Sequence, residues 1–384
     1  MPFYDAILWR QGTGVYHAEN VKREQIVMPN ADAAVVIQAA CDYLSTQDAS
    51  TSSGLMWFKP ARYTCNSQVT IPKDAAITFA SPSFPKQTSG FKGGAIIEAG
   101  AAMTSLLDIS GEASASANAD LSHGIHFRNL MLRGADLVTN VVRCFNTDTV
   151  SFDRCRITDG TNAVNALYTG DDPPTSTSVP GGLVMSDCLV ESGDGGYGVV
   201  LSEQTQCEIR GTRFNSANAA TSKHIFVDRC TKIRIDNNEF NNCLSAIFLD
   251  DDANEPTQDI AISNNLVNIG SGKKFIEDSL TNSSSYNIRY SGNGNILQTG
   301  VITDSISRNF YGTGSILNGT TSIVITHNQG FAYPLGCILI TLGENPTNTP
   351  GAIWVDTITT NAFTVNCEND PGASNLDFGW SFNF

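Results

Sequence analysis

Two short segments hold the residue types from which a carbohydrate site is built: His224-Ile-Phe-Val-Asp228 and Ala246-Ile-Phe-Leu-Asp250. In an extended strand, successive side chains take opposite faces. With Ile225, Val227, Ile247 and Leu249 facing a core, His224, Phe226 and Asp228 face outward, as do Ala246, Phe248 and Asp250. If the two strands are neighbours, Phe226 lies beside Phe248 and Asp228 beside Asp250, at a strand spacing of about 4.8 Å. Tyr197, at the head of Tyr197-Gly-Val-Val-Leu201, extends the row by one strand. Aromatic rings cover the apolar faces of pyranoses, and adjacent carboxylates bind their hydroxyls. Two carboxyl groups at about 5 Å suit a retaining glycosidase, and a wider pair suits an inverting one. The candidate catalytic acids are Asp228, Asp250, Glu203 and Asp251; the candidate substrate-binding residues are Tyr197, His224, Phe226, Phe248, Asp171 and Asp172. Two plainer readings fit the same residues. Outward Phe side chains also suit a contact between subunits, and acids in loops are commonly just solvated.

Other chemistries find little support. Asp250-Asp-Asp252 lacks the alternating ligand spacing of a calcium loop, and no Cys-x-x-Cys pair suggests zinc. His17 and His327 stand without partners in sequence, and neither a Ser-His-Asp pattern nor a phosphate-binding glycine loop is present. No metal or cofactor is therefore expected. A net charge of -15 argues against a nucleic-acid partner, since no basic patch is available to neutralise phosphates. No run of eighteen apolar residues predicts a membrane span. The opening Met1-Pro-Phe-Tyr-Asp5 lacks the basic and apolar regions of a signal peptide. Most of the ten cysteines fall in strand-patterned segments, which predicts reduced, buried thiols in a protein made in a cytoplasm.

The elements that position the strip come from a repeat. Ile125-His-Phe-Arg-Asn-Leu-Met-Leu132 recurs as Val150–Ile157, Leu183–Val190, Cys207–Phe214, Ile233–Phe240 and Ile260–Val267, with a weaker copy from Ile288 to Asn295. Each is apolar, any, apolar, two of any, a turn residue, any, and usually apolar. Starts at 125, 150, 183, 207, 233, 260 and 288 give a period near one coil of a β-solenoid. The sixth position runs Leu130, Cys155, Cys188, Thr212, Asn238, Asn265, Asn293. Asn tolerates the left-handed backbone of a sharp bend, and stacked Asn side chains bond along the solenoid axis. Two long loops, Tyr168–Gly182 and Asp250–Asp259, leave the coil at the same turn and could wall the strip on one side.

Ahead of the repeat, Asp32 predicts the cap of a helix with Val36, Ile37, Ala40, Cys41 and Leu44 on one face. Trp57-Phe-Lys-Pro-Ala-Arg-Tyr-Thr64 and Gln68-Val-Thr-Ile-Pro72 follow. Behind it, the period gives way to short alternating strands at Ser322–His327, Cys337–Thr341, Ala352–Asp356, Ala362–Asn366 and Leu376–Phe382, which predict a small antiparallel sandwich.

The run of Asn and the order helix, strand, Pro-x-x-Tyr, x-Ile-Pro resemble the pectate-lyase superfamily, and most of all its phage tailspikes and tail fibres. The match covers roughly residues 26 to 295. It implies an all-β chain: a right-handed parallel β-helix at 26–299 with an N-terminal capping helix, after an arm at 1–25 and before a C-terminal β-sandwich at 300–384. The arm would serve virion attachment or a subunit contact. The Thr-His, Trp-Val, Phe-Thr-Val-Asn, Phe-Gly-Trp series is similar to terminal modules of phage tail proteins, which tend to hold trimers together or bind receptors. The resemblance thus implies a homotrimer in the virion tail, made in the host cytoplasm. Its partners would be host surface polysaccharide and other tail or capsid proteins. Depolymerisation, a non-viral polysaccharide hydrolase or lyase, and a non-enzymatic spacer or decoration protein are the alternatives. Asn146-Thr-Asp148 followed by Asp171-Asp172 is similar to the acidic motifs of polygalacturonases, but their Gly-His-Gly is absent and no matching Arg-Ile-Lys follows.

Overall fold

The structure is a computed structural model. It describes residues 4–382 apart from 47–53, 73–74, 85–92, 111–121, 146, 159–164, 171–180, 194, 217–220, 253–254, 270–272, 281–287, 292–293, 296–310, 327–337, 344–345 and 360–361. Two compact units emerge. The first holds residues 1–250, 257–279 and 287–304; the second holds 251–256, 280–286 and 305–384.

The first unit is a solenoid of three parallel sheets. Each coil contributes one strand to each, as in Lys223–Asp228 (third sheet), Thr231–Asp236 (first) and Glu239–Asn241 (second), after which Ser245–Asp250 begins the next coil. Equivalent residues pair in register: Ile233 with Ile260, Phe214 with Phe240, Ile225 with Ile247. The repeated motif is therefore a first-sheet strand, a bend and a second-sheet strand. Stacking like on like fills the interior. Phe58, Phe79, Phe127 and Phe152 form a column with successive ring centroids 6.3, 4.9 and 4.9 Å apart. Each such ring contributes about 2–3 kcal/mol of transfer free energy when removed from water.

The bend shifts one expectation by a residue. The left-handed backbone falls on the fifth motif position, at Asn129, Arg154, Asp187, Gly211, Asn237 and Asn264 (φ 49–58°). Gly211 suits this site doubly, because a Cβ there would meet the Asp187 carboxylate at 2.4 Å. The sixth position is instead buried, and its side chains bond along the axis. Asn265 Oδ1 accepts from the Asn238 backbone N–H (2.9 Å) and from Asn238 Nδ2 (3.1 Å), and Asn238 Oδ1 accepts from the Thr212 N–H at 2.9 Å. The pattern continues more loosely as Cys188 N–H to Thr212 Oγ1 and Cys155 N–H to Cys188 Sγ, both 3.4 Å. Asn293 lies outside the described residues.

At the front, Asp32 caps helix Ala33–Ser45 by accepting from the Ala34 N–H, and the predicted apolar face is buried. The helix packs on Val69–Ile71, Arg62–Cys65 and Val15–Asn20. A hairpin, Ala6–Gln11 with Val15–Asn20, adds to the first sheet through parallel pairing of Ala6–Leu8 with Met56–Phe58. Nine cysteines are described, all buried and none in a disulfide; burial pushes the thiols up, that of Cys207 to about 12. No described helix is long and apolar enough to cross a membrane.

The second unit contains two three-stranded antiparallel sheets with a shared core of Ile316, Ile325, Phe363, Val365, Leu376, Phe378 and Trp380. One of its strands, Tyr311–Ile316, escapes the alternation pattern because two of its residues are glycines. Gly314 is required there, since a Cβ would meet Phe378 at 2.6 Å and Ile325 at 2.7 Å.

Candidate functional site

The third sheet carries the candidate strip, and its geometry begins at a corner. Where the chain turns from the second sheet into the third, two consecutive side chains point inward: Val141 with Val142, His224 with Ile225, Ala246 with Ile247, Phe275 with Ile276. Strict alternation places His224 and Ala246 outside; the structure corrects both. His224 is fully buried between the rings of Phe214 and Phe240. Its Nε2 lies 2.8 Å from the Asn241 carbonyl, which fixes that nitrogen as the N–H donor, and its Nδ1 has no partner among the described residues. Burial holds its pKa down, at about 4, so it is neutral and is not part of the outer surface.

Beyond the corner, alternation holds. Phe226 and Phe248 pair in register, as do Asp228 and Asp250, and all four are half-buried on the outer face. The two Phe rings stack at 5.5 Å with an interplanar angle of 15°. Tyr197 pairs with Lys223 rather than Phe226, yet its ring leans to within 5.0 Å of the Phe226 ring. Three rings thus run in a row along the solenoid axis. Lys223 completes the row: its Nζ sits 3.6 Å from the Phe248 centroid, 6.0 Å from that of Tyr197 and 3.9 Å from Glu277 Oε2. Glu277 also pairs with Lys274 at 2.8 Å and accepts from Ser245. Burial pushes the Glu277 carboxyl up, but the bonds from Lys274 and Ser245 and the Lys223 charge outweigh it and hold the group below its ordinary range. Burial, then the Asp250 and Glu277 charges, push the Tyr197 hydroxyl up.

Period-two reading misses Lys223 because it puts that residue on the same side as Ile225. The double-inward corner reverses the parity and turns Lys223 out. Glu277 carried a visible signal, since Lys274-Phe-Ile-Glu-Asp278 aligns with the two strands before it, but the Phe of that segment falls on the corner.

The candidate acids divide. Arg229 joins Glu203 and Asp228: it pairs with Glu203 and reaches Asp228 Oδ2 at 2.9 Å, which also accepts from Ser202 Oγ at 3.0 Å. All three side chains are mostly buried, at 21% exposed for Arg229, 11% for Glu203 and 16% for Asp228. Glu203 and Arg229 each adopt left-handed backbone at the bend after their strands. Asp250 accepts from Ser279 Oγ. Asp251 belongs to the second compact unit. Asp171 and Asp172 lie outside the described residues, as does the segment 171–180 of the first long loop. Among the described residues no group of three or more His, Cys, Asp or Glu is placed to hold a metal ion.

Three parallel sheets, one strand of each per coil, and an Asn stack at the bend between the first two decide the architecture. The fold is a right-handed parallel β-helix. No family model matches the sequence, and no curated protein matches it. Solved structures do. The chain is similar to the tailspike protein gp49 from Acinetobacter baumannii bacteriophage Fri1, a capsular polysaccharide depolymerase, at 9% identity over 90% of this chain and 81% of that one, with a TM-score of 0.35. It is similar to an alginate lyase from Paenibacillus sp. at 11% identity over 70% and 95%, with a TM-score of 0.42. The Acinetobacter phage vB_ApiP_P1 tailspike matches at 10% identity over 92% and 84%, with a TM-score of 0.37.

A second feature of the β-helix lies on the first sheet. A pocket of about 250 Å³ is lined by Thr78, His126, Phe127, Arg128, Ser151 and Asp153. His126 Nδ1 and Ser151 Oγ are 2.6 Å apart, and burial, then the Arg128 charge, hold the imidazole below its ordinary pKa. At its edge Asp153 pairs with Arg128 and Arg154, and further along the same sheet Arg234 pairs with Glu208 and Asp236.

Proposed function

We propose that this chain is a trimeric virion protein, a tailspike or tail fibre, whose β-helix binds host surface polysaccharide along the third-sheet strip. The observation that carries the reading is the row of half-buried rings of Tyr197, Phe226 and Phe248, edged by Asp228 and Asp250. Saccharide rings stack on such faces, and carboxylates take their hydroxyls. The backbone beneath is a packed parallel sheet, so the row keeps its spacing without the ligand having to order it. The opening helix and the terminal module, which resemble those of phage tail proteins, support the virion setting and the trimer. The arm at 1–25 would then meet other tail or capsid proteins.

Binding is the core of the proposal; cleavage is an added activity with a stricter requirement. Asp228 and Glu203 share one guanidinium, which engages part of their hydrogen-bonding capacity at the bend. A cleaving site would rest on Asp250 with Asp228 across one strand spacing.

A panel of bacterial surface polysaccharides tests both. The expected result is binding to at least one member, weakened about tenfold or more by Phe226→Ala with Phe248→Ala. Chain shortening that Asp228→Asn and Asp250→Asn each abolish, with folding intact, would establish depolymerisation. No binding across the panel would sink the reading and favour the subunit-contact role of the rings. For the trimer, light scattering on a chain truncated after Gln298 is expected to show weaker association than the full chain. An equally stable trimer would move the assembly role to the β-helix.

A further inference from the structure

Resting on the glycan-binding reading, we infer that the strip selects glycans bearing free amino sugars, and that Lys223 holds the place the sugar ammonium takes. The Phe248 ring face is already in contact with a cation, the Lys223 ammonium 3.6 Å from the ring centroid. The same ammonium lies 3.9 Å from Glu277 Oε2 and 6.0 Å from the Tyr197 ring. Two aromatic faces and a carboxylate around one ammonium form the chemistry of a cation cage.

A neutral pyranose that stacks on Phe248 must push Lys223 away, which takes the cation from both the ring and Glu277 and returns nothing to either. A sugar with a protonated amine restores both contacts as it enters. Discrimination therefore comes from what is lost with the wrong ligand as much as from what is gained with the right one. A uronate is disfavoured further. With Lys223 displaced, Glu277 keeps its pair with Lys274 while the carboxylates of Asp250, Asp228 and Glu203 stay on the same stretch of sheet. The upward push on the Tyr197 hydroxyl from Asp250 and Glu277, second to burial, reports the same negative potential at the ring's polar tip. The chain's charge of -15 draws polycationic glycans at long range and repels polyanionic ones.

The test is calorimetric titration of the full chain, at low salt and mildly acidic pH, with three oligosaccharides of equal length: glucosamine, N-acetylglucosamine and a uronic acid. The free-amine oligomer is expected to bind about tenfold tighter than the acetylated one, and the uronate weakest. Lys223→Met empties the cage and is expected to raise free-amine affinity several-fold. Glu277→Gln is expected to lower it relative to the acetylated oligomer, whose own binding rises in Lys223→Met because no ammonium then has to be displaced. Equal or tighter binding of the acetylated oligomer, or weaker free-amine binding in Lys223→Met, overturns the inference. The wild-type comparison needs no variant to fold, and melting curves together with Lys223→Gln guard the variant arm. Binding of the acetylated oligomer that is lost in Phe226→Ala with Phe248→Ala would leave the glycan reading standing while this inference falls. No binding of any oligomer or of any polysaccharide in the panel would remove both.

Discussion

The first and third sheets of the β-helix both use arginine–carboxylate pairs, and they use them at different depths. On the first sheet, Arg128 and Arg154 meet Asp153 with side chains 58%, 52% and 32% exposed. At the third sheet, Arg229 meets Glu203 and Asp228 with all three side chains mostly buried. Both faces are built of parallel strands paired in register, so the pairing pattern does not separate them. Depth does. A surface pair gains a few tenths of a kcal/mol against water, whereas a buried pair that loses one member leaves a charge with nowhere to go. The face with the sunken Arg229 cluster is also the face that carries the row of half-buried aromatic rings.

The sharpest way to break that contrast is Arg229→Met. It removes the guanidinium from two largely buried carboxylates, and the expected loss is about 3–5 kcal/mol of unfolding free energy, read by denaturant titration. A loss below about 1 kcal/mol would mean that the Glu203 and Asp228 side chains swing to water at will, and that the two faces are energetically alike.

Acid should single out the corner of the third sheet next. His224 titrates near 4 when folded, against an ordinary value of 6.5, so between those limits the unfolded chain binds a proton that the folded chain does not. Its contribution is complete above the ordinary value and is lost progressively as pH falls toward 4. The drop is worth roughly 3 kcal/mol, at about 1.4 kcal/mol for each pH unit between the two values. Stability of the wild type and of His224→Leu, followed from neutral pH to pH 4, checks this. The variant starts lower, having lost the bond to the Asn241 carbonyl, and is expected to fall less steeply. Parallel curves would refute the assignment. His126, half-buried on the first sheet, is expected to give a smaller effect of the same sign.

Between the first and second sheets the bend offers a test of intermediate size. Asn265 accepts from the Asn238 backbone N–H and donates to the Ile235 carbonyl at 3.0 Å, all buried. Asn265→Leu orphans both groups and is expected to cost on the order of 1–3 kcal/mol. Cys188→Ala should cost less, since sulfur is a weak acceptor and the Cys155 N–H to Sγ distance is 3.4 Å. If the two variants are equally destabilised, the stack is held by packing rather than by hydrogen bonds.

These elements also show what the sequence displays and what it hides. The coil period, the core set Ile225, Val227, Ile247 and Leu249, and the capped helix are legible because each depends on a repeated apolar spacing. The left-handed residue is misplaced by one, because Asn at both the fifth and sixth positions of Asn237-Asn238 and Asn264-Asn265 looks alike in sequence; only burial separates turn from stack. His224 is misread because a corner breaks period-two alternation with no local signature. Its small neighbours on the same corner column, Gly198 and Ala246, are the nearest thing to one; a Cβ on Gly198 would meet the His224 carbonyl at 2.8 Å. Lys223 is missed through that same parity change. Arg229 goes unnoticed because alternation treats the first residue of a bend as loop, whereas its bond partners sit one coil back, 26 residues and more away in sequence for Glu203 and Ser202.

The smallest expected effect closes the contrast from the exposed side. Arg128→Met removes a guanidinium whose Nε lies 2.9 Å from Asp153 Oδ2, the same separation as Arg229 and Asp228. Good geometry alone would suggest a large loss. Water already solvates more than half of the Arg128 side chain, however, and Arg154 continues to serve Asp153 after the substitution. The bonds from Arg154 and Arg128 hold the Asp153 carboxyl below its ordinary range despite burial, and losing one of the two leaves the other. The expected change is about 0–0.5 kcal/mol, shrinking further as salt is raised. A loss of about 2 kcal/mol or more, insensitive to salt, would show that the first-sheet ion pairs act as one coupled network. Depth would then no longer be what distinguishes the two faces.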